Sequence, residues 1–165
     1  MKKETEKRER LPVSVSSAVL IEDEQGRLLL LQQAAERNNH RWGPPAGGME
    51  LHENPIMTAL RETKEEIGVE VELIDLVGIY TVNRDSEDEE NGSTGVGFVF
   101  RGKIVLGEIT PQQDEIMNFK FFSLAEIERL IADDMLYKPE YNLDSIKDWV
   151  EKKSYPLDTI KSFRN

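Results

Sequence analysis

The stretch RETKEEIGV, residues 61–69, holds three glutamates, Glu62, Glu65 and Glu66, beside Arg61. On a helix of about 3.6 residues per turn, their i, i+3, i+4 spacing puts three carboxylates on one face, near enough to share a ligand. Left in water, they repel one another by a few tenths of a kcal/mol per pair. The repulsion grows if a covering loop lowers the local dielectric. A divalent cation would turn it into a binding site. On the opposite stripe, Ile56, Leu60, Thr63 and Ile67 are expected to face a core, Thr63 through its methyl. Taken alone, this pattern is also what any solvated surface helix shows, with Arg61 and Lys64 as ion-pair partners.

The composition narrows the chemistry. The 165-residue chain suits one domain with its own core. Its formal net charge of −11 speaks against a broad basic face for a nucleic-acid duplex. An acidic protein that handles anionic substrates needs cations between itself and them. With no cysteine, thiolate catalysis and cysteine-ligated zinc are excluded, and with only His40 and His52 as histidines a histidine-rich metal site is not expected. Any metal is then a hard cation held by oxygen. The charged start MKKETEKRER has no apolar run behind it, and no stretch is long enough to cross a membrane, so neither a signal peptide nor a membrane partner is expected. Cytoplasm is the expected location.

The glutamates need a helix to hold them, and the sequence supplies one over 55–67. Asn54 is a good N-cap, Pro55 suits the first position and Gly68 the stop. Alternation from Val13 to Ile21 predicts a strand, and RLLLLQQ (27–33) a buried second strand. With Gly26 as a positive-φ turn residue, the two are expected to form a hairpin. The Gly- and Pro-rich stretch 34–54 reads as a long functional loop. Residues 69–82 read as a strand with a bulge near Gly78. GVGFVFRGKIVLG (95–107) reads as a strand or a bent pair, PQQDEIMN as a loop and FKFFSL as a short strand. SLAEIERLIADD reads as a helix capped by Ser123 and Glu126. A last helix is expected over Asp144–Lys152, with Ile146, Trp149 and Val150 on its apolar side. The fold class is α/β, a mixed sheet flanked by helices.

What lifts the glutamate face above a solvated surface is the spacing in front of it. Gly47, five residues, Glu53 and seven residues lead to Arg61-Glu62-Thr63-Lys64-Glu65-Glu66-Ile67-Gly68-Val69. This resembles the signature of the Nudix hydrolase family: Gly, five residues, Glu, seven residues, Arg-Glu-apolar-any-Glu-Glu-any-Gly-apolar. All fixed polar and glycine positions match. Thr63 departs, at a position where the family prefers an aliphatic residue. WGPPAGG (42–48) is similar to the family's lead-in. The resemblance implies the Nudix α/β/α sandwich over residues 11–135. Residues 1–10 are then a flexible segment, and 136–165 a C-terminal helical extension, packed on the domain or at a homodimer interface.

The resemblance further implies hydrolysis of a small-molecule nucleoside diphosphate derivative, with Mg²⁺ or Mn²⁺ supporting attack of water on phosphorus. By position, Glu62, Glu65 and Glu66 are the implied metal ligands, joined by the backbone carbonyl of Ala46. Arg61 would orient the glutamates, its bland alternative being a surface ion pair. Glu53 would act through water or position the helix, and Gly47 and Gly48 would let backbone approach closely. Glu115 is the implied loop carboxylate acting as base or ligand, with Asp114 as the alternative. For substrate contacts, Arg37 or Arg41 could meet phosphate, and Trp42, Tyr80 and Phe98 could stack on a base, against core or loop packing for each. The run DSEDEE (85–90) reads as a solvated turn. The alternative function is a catalytically silent Nudix-fold nucleotide-binding or sensor protein.

Overall fold

The computed structural model describes residues 13–84 and 93–163. The N-terminal segment 1–10 and the acidic run 85–90 lie outside the described residues, as do the side chains of Arg37 and Arg84. The elements in order are β1 (Val13–Ile21), β2 (Leu28–Gln33), β3 (Trp42–Gly43), β4 (Ala46–Gly48), α1 (Pro55–Ile67), β5 (Glu70–Arg84), β6 (Ser93–Leu106), β7 (Ile116–Phe122), α2 (Leu124–Ala132) and α3 (Pro139–Val150). Among these, no helix is long and apolar enough to cross a membrane.

The strands divide into two sheets, ordered β4-β1-β6-β5 and β3-β2-β7. The first is mixed, because β1 runs parallel to β6 and antiparallel to β4. The second is antiparallel. The expected β1–β2 hairpin does not form. Gly26 does turn the chain at positive φ, but beyond a single bridge between Glu22 and Leu28 the strands part. The reason is that β4 and β6 occupy both edges of β1, while β3 and β7 occupy both edges of β2.

Two apolar layers result. Val19, Ile21, Leu29 and Leu31 pack with Ala59 and Ile67 of α1. Ala18, Leu20, Leu28 and Leu30 pack with Ile127 of α2 and with Ile146 and Trp149 of α3. Alternate residues of β1 and β2 thus serve opposite cores, which explains an unbroken leucine run where a one-sided strand would alternate. Helices cover both sides, as in an α/β/α sandwich.

Several boundaries differ from expectation. The strand expected from Phe119 begins at Ile116. The last helix begins at Pro139 rather than Asp144, with proline at its first position. On it, Ile146 and Trp149 are buried, but Val150 is 42% exposed. The bulge near Gly78 is present as a register shift between Leu76 and Gly78.

α1 has the expected bounds, and its ends show why. Asn54 accepts the Met57 N–H at 3.0 Å, and Gly68, at φ 73°, closes the helix by donating its N–H to the Lys64 carbonyl. Its rotation differs from expectation. Thr58, Ala59, Thr63, Glu66 and Ile67 are buried, whereas Leu60 is 38% exposed. The Thr63 hydroxyl is satisfied by the Ala59 carbonyl at 2.8 Å, so a polar residue is accommodated at this apolar position. Gly68→Ala forces a Cβ into the left-handed region and is expected to cost about 1–2 kcal/mol, read from chemical denaturation.

Candidate active site

The helix that carries the glutamates is fixed at its start. The buried Ser17 hydroxyl of β1 donates to the Pro55 carbonyl at 2.8 Å. At the other end, Thr110 and Gln112 donate their N–H groups to the Ile67 and Glu66 carbonyls, each at 2.8 Å. The second tie draws in the loop before β7, and with it Glu115.

Arg61 stands at the centre of the acidic cluster. Its Nε donates to Glu53 Oε1 at 2.6 Å and its Nη2 to Glu53 Oε2 at 3.0 Å. Nη2 also donates to the Gly48 carbonyl at 2.8 Å. Nη1 donates to Glu62 Oε1 at 2.8 Å and to Glu65 Oε2 at 2.9 Å. One guanidinium therefore ties the loop to three glutamates, far more than an isolated surface pair. Glu53 is held further by the Thr58 hydroxyl and the Glu50 N–H. Its bond from Arg61, with help from the Glu50 N–H, lowers its carboxyl to a pKa of about 2.

The glutamates of α1 differ in environment. Glu65 keeps about half its side chain in solvent. Glu62 is mostly covered, and burial raises its pKa against the lowering effect of Arg61. Glu66 is buried and accepts the Ala46 N–H at 2.9 Å. Burial pushes its pKa up to about 8; the Ala46 N–H and the charge of Lys138 oppose this, while Glu62 and Glu115 add to it.

Glu62, Glu66 and Glu115 line one cavity of about 440 Å³, together with Ala46, Gly47 and Gly48. Asp114 is not among its lining residues. The glycines differ in role. A Cβ on Gly47 would lie 1.9 Å from the Glu62 carboxyl carbon, while one on Gly48 would meet open space. Gly47 is thus needed for Glu62 to sit where it does, whereas Gly48 contributes its carbonyl. At Ala46, the group that meets the glutamates is the N–H.

Among the described residues, no three His, Asp or Glu side chains are gathered ready to hold a metal ion. Arg61 draws Glu62 and Glu65 toward itself, and Ala46 holds Glu66. The donor chemistry nevertheless fits Mg²⁺ or Mn²⁺. The donors are all oxygens, and a divalent cation would offset the burial and the neighbouring carboxylates that disfavour the ionised form of Glu66.

The expected substrate contacts separate. Phe98 lines the cavity. Arg41 does not, and is bound to the Asp134 carbonyl and carboxylate. Trp42 packs edge-on against Phe122 at 4.9 Å in the second core. Tyr80 donates its hydroxyl to Asp148 of α3 at 2.9 Å, away from the glutamates. The sequence reading missed the far wall of the cavity, made by Tyr137, Lys138, Tyr141 and Asn142 at the start of α3. Pro139 signals a helix start there, but no local spacing points from it to the glutamates some 70 residues earlier.

Comparison with known proteins agrees with this geometry. The NUDIX domain family profile matches residues 12–142. A MutT-like protein of Streptomyces ambofaciens is 42% identical over 67 residues, covering 41% of this chain and 42% of that protein. The 8-oxo-dGDP phosphatase NUDT18 of Mus musculus is 30% identical over 92 residues, covering 56% of this chain and 26% of that protein. The chain therefore spans less than half the length of each of these two relatives. A solved NUDIX hydrolase from Nitrosomonas europaea superposes with a TM-score of 0.77 at 29% identity, covering 92% of this chain and 97% of that one. The chain belongs to the Nudix family.

Two outcomes follow from this geometry. Gly47→Ala is expected to displace the carboxylate end of the Glu62 side chain without unfolding the protein. In calorimetric titration, Mn²⁺ affinity falls by about tenfold or more while the melting temperature stays near wild type. Glu66 gives a pH signature in metal-free protein. Its folded pKa of about 8 lies above the ordinary 4.5, so its neutral form supports the fold fully below about pH 4.5. That support is lost as pH rises through about 8. Denaturation in EDTA between pH 6 and 9 should show a falling stability that Glu66→Gln flattens.

Proposed function

We propose that this protein is a metal-dependent pyrophosphohydrolase that cleaves a nucleoside diphosphate derivative by attack of water on phosphorus. The observation that carries the proposal is the convergence of Glu62, Glu66 and Glu115 on one cavity, backed by Arg61. Glu62, Glu66 and Glu65 would hold Mg²⁺ or Mn²⁺, with the Ala46 carbonyl as a further oxygen ligand. The bound cation supplies charge neutralisation at the phosphates and lowers the pKa of the attacking water.

The chain's own groups do the rest. Arg61 keeps Glu62 and Glu65 within reach of each other and anchors them, through Glu53, to the loop. Glu115, on the separate loop before β7 and beside Glu62 and Glu66, would accept the proton of the attacking water. Gly47 keeps the backbone low enough for Glu62 to stay beside it. No feature favours a silent binding protein, since every glutamate of the signature is present. A cytoplasmic setting belongs to the same proposal, as a chain without cysteine needs no oxidising compartment.

A phosphate-release screen over nucleoside triphosphates, nucleotide sugars, dinucleoside polyphosphates and ADP-ribose tests it, with Mg²⁺ or Mn²⁺. Turnover of at least one class is expected, abolished by EDTA and reduced about a hundredfold or more by Glu66→Gln. Turnover undiminished in both Glu65→Gln and Glu66→Gln would sink the mechanism. No turnover by wild type alongside tight nucleotide binding would favour a sensor.

A further inference from the structure

The cavity has two walls of different character. One carries Glu62, Glu66 and Glu115. The other is built by the start of α3, where Lys138 is the one cationic residue among the described lining residues. A diphosphate entering an acidic cavity needs positive charge beyond the metal. Arg61 is engaged with Glu53, Glu62, Glu65 and the Gly48 carbonyl, and Arg41 with Asp134. Among the described lining residues, Lys138 is left to supply it.

The placement of Lys138 is enforced. The preceding segment is sewn to β3: Trp42 donates its N–H to the Met135 carbonyl at 2.8 Å, and Tyr137 donates to the Trp42 carbonyl at 2.7 Å. The buried Asn142 side chain donates to the Tyr137 carbonyl. Between these ties Lys138 adopts φ 43° and ψ 62°, a left-handed conformation that side chains other than Gly and Asn rarely adopt. Its Nζ lies 5.1 Å from the centre of the Tyr137 ring. A bare turn would favour glycine here; the chain carries a long cation, and strain of this kind gathers at functional sites.

Tyr141 follows one turn later. Its ring is half-buried and lies along β6 in a space cleared by two glycines. A Cβ at Gly95 would fall 1.9 Å from its hydroxyl oxygen, and one at Gly97 would fall 3.3 Å from its ring carbons. The ring is thereby seated on strand backbone beside the cavity it lines.

We infer that Lys138 and Tyr141 form the substrate-holding wall of this site, Lys138 binding the diphosphate and Tyr141 stacking on the planar base of a nucleotide. This rests on the pyrophosphohydrolase proposal and adds the group that recognises the base. It also assigns a function to the start of α3, which lies beyond the metal signature.

Calorimetric titration of the full chain with ADP and with inorganic pyrophosphate, each with Mn²⁺, tests the inference. Lys138→Asn suits the left-handed backbone and should leave the melting temperature unchanged. It is expected to weaken both ligands about tenfold and reduce the salt dependence of binding, and Lys138→Arg to restore them. Tyr141→Leu should weaken ADP about tenfold and leave pyrophosphate within about twofold, with Tyr141→Phe like wild type. Mn²⁺ affinity alone should not move in the Tyr141 variants. Unchanged binding of both ligands by Lys138→Asn, or an equal loss of both by Tyr141→Leu, overturns the inference. Phosphate release by a wild type that binds neither ADP nor pyrophosphate overturns it too, while leaving the hydrolase proposal standing. A wild type that binds no metal and releases no phosphate overturns that proposal first, and this one with it.

Discussion

The site depends on one guanidinium. Arg61 bonds both oxygens of Glu53, the Gly48 carbonyl and one oxygen each of Glu62 and Glu65. Five donors in a planar fork suit such a task, and a lysine in the same place could not hold this many acceptors in fixed directions. By joining the loop after β4 to successive positions of α1, Arg61 sets the spacing between glycine backbone and carboxylates. It also offsets the mutual repulsion that three clustered glutamates would otherwise add to the folded state.

Around that hub the fold supplies asymmetry. The same helix leaves Glu65 about half in solvent, covers Glu62 beside Arg61 and buries Glu66, and burial raises the pKa of the latter two. Glu66 is the extreme case, buried and facing Glu62 and Glu115. A divalent cation held here, as proposed, would compete with protons, and the covered position of Glu66 would make that competition strong near neutral pH. The two-layer core holds α1 in place. β1 and β2 send alternate residues into opposite cores, and the α1 side of that arrangement holds the helix through Ala59, Thr63 and Ile67.

α3 gives the C-terminal region two tasks. Ile146 and Trp149 close the second core, while Tyr137, Lys138 and Tyr141 face the cavity. Packing in the last turns of the helix thus fixes where its first turn stands. Tyr80, expected as a stacking residue, serves this packing instead by bonding Asp148 on the same helix. Trp42 likewise belongs to the second core. Large aromatics near a predicted loop carry no sign of which surface they will meet, and burial of their area in a core is the more favourable fate.

The local features of α1 were legible because capping, proline placement and a glycine stop act within a few residues of one another. The Gly47–Glu53–Arg61–Glu62–Glu65–Glu66 spacing was legible for the same reason: loop and helix are contiguous, and helical periodicity alone places the carboxylates together. What periodicity could not decide was the rotation of α1 about its axis. That depends on β1 and β5 beneath it, and it buried Glu66 while leaving Leu60 partly exposed. The parting of β1 from β2 was likewise beyond local pattern, since it follows from which distant strands take their edges. Glu115 and Lys138 reach the cavity only because a loop is tied to the end of α1 and a helix start is sewn to β3. By itself, then, the sequence determined a carboxylate-bearing helix joined to a glycine loop. Tertiary structure decided which carboxylate is buried and which cation and aromatic ring face it, because contacts between residues far apart in the chain leave no period in the sequence.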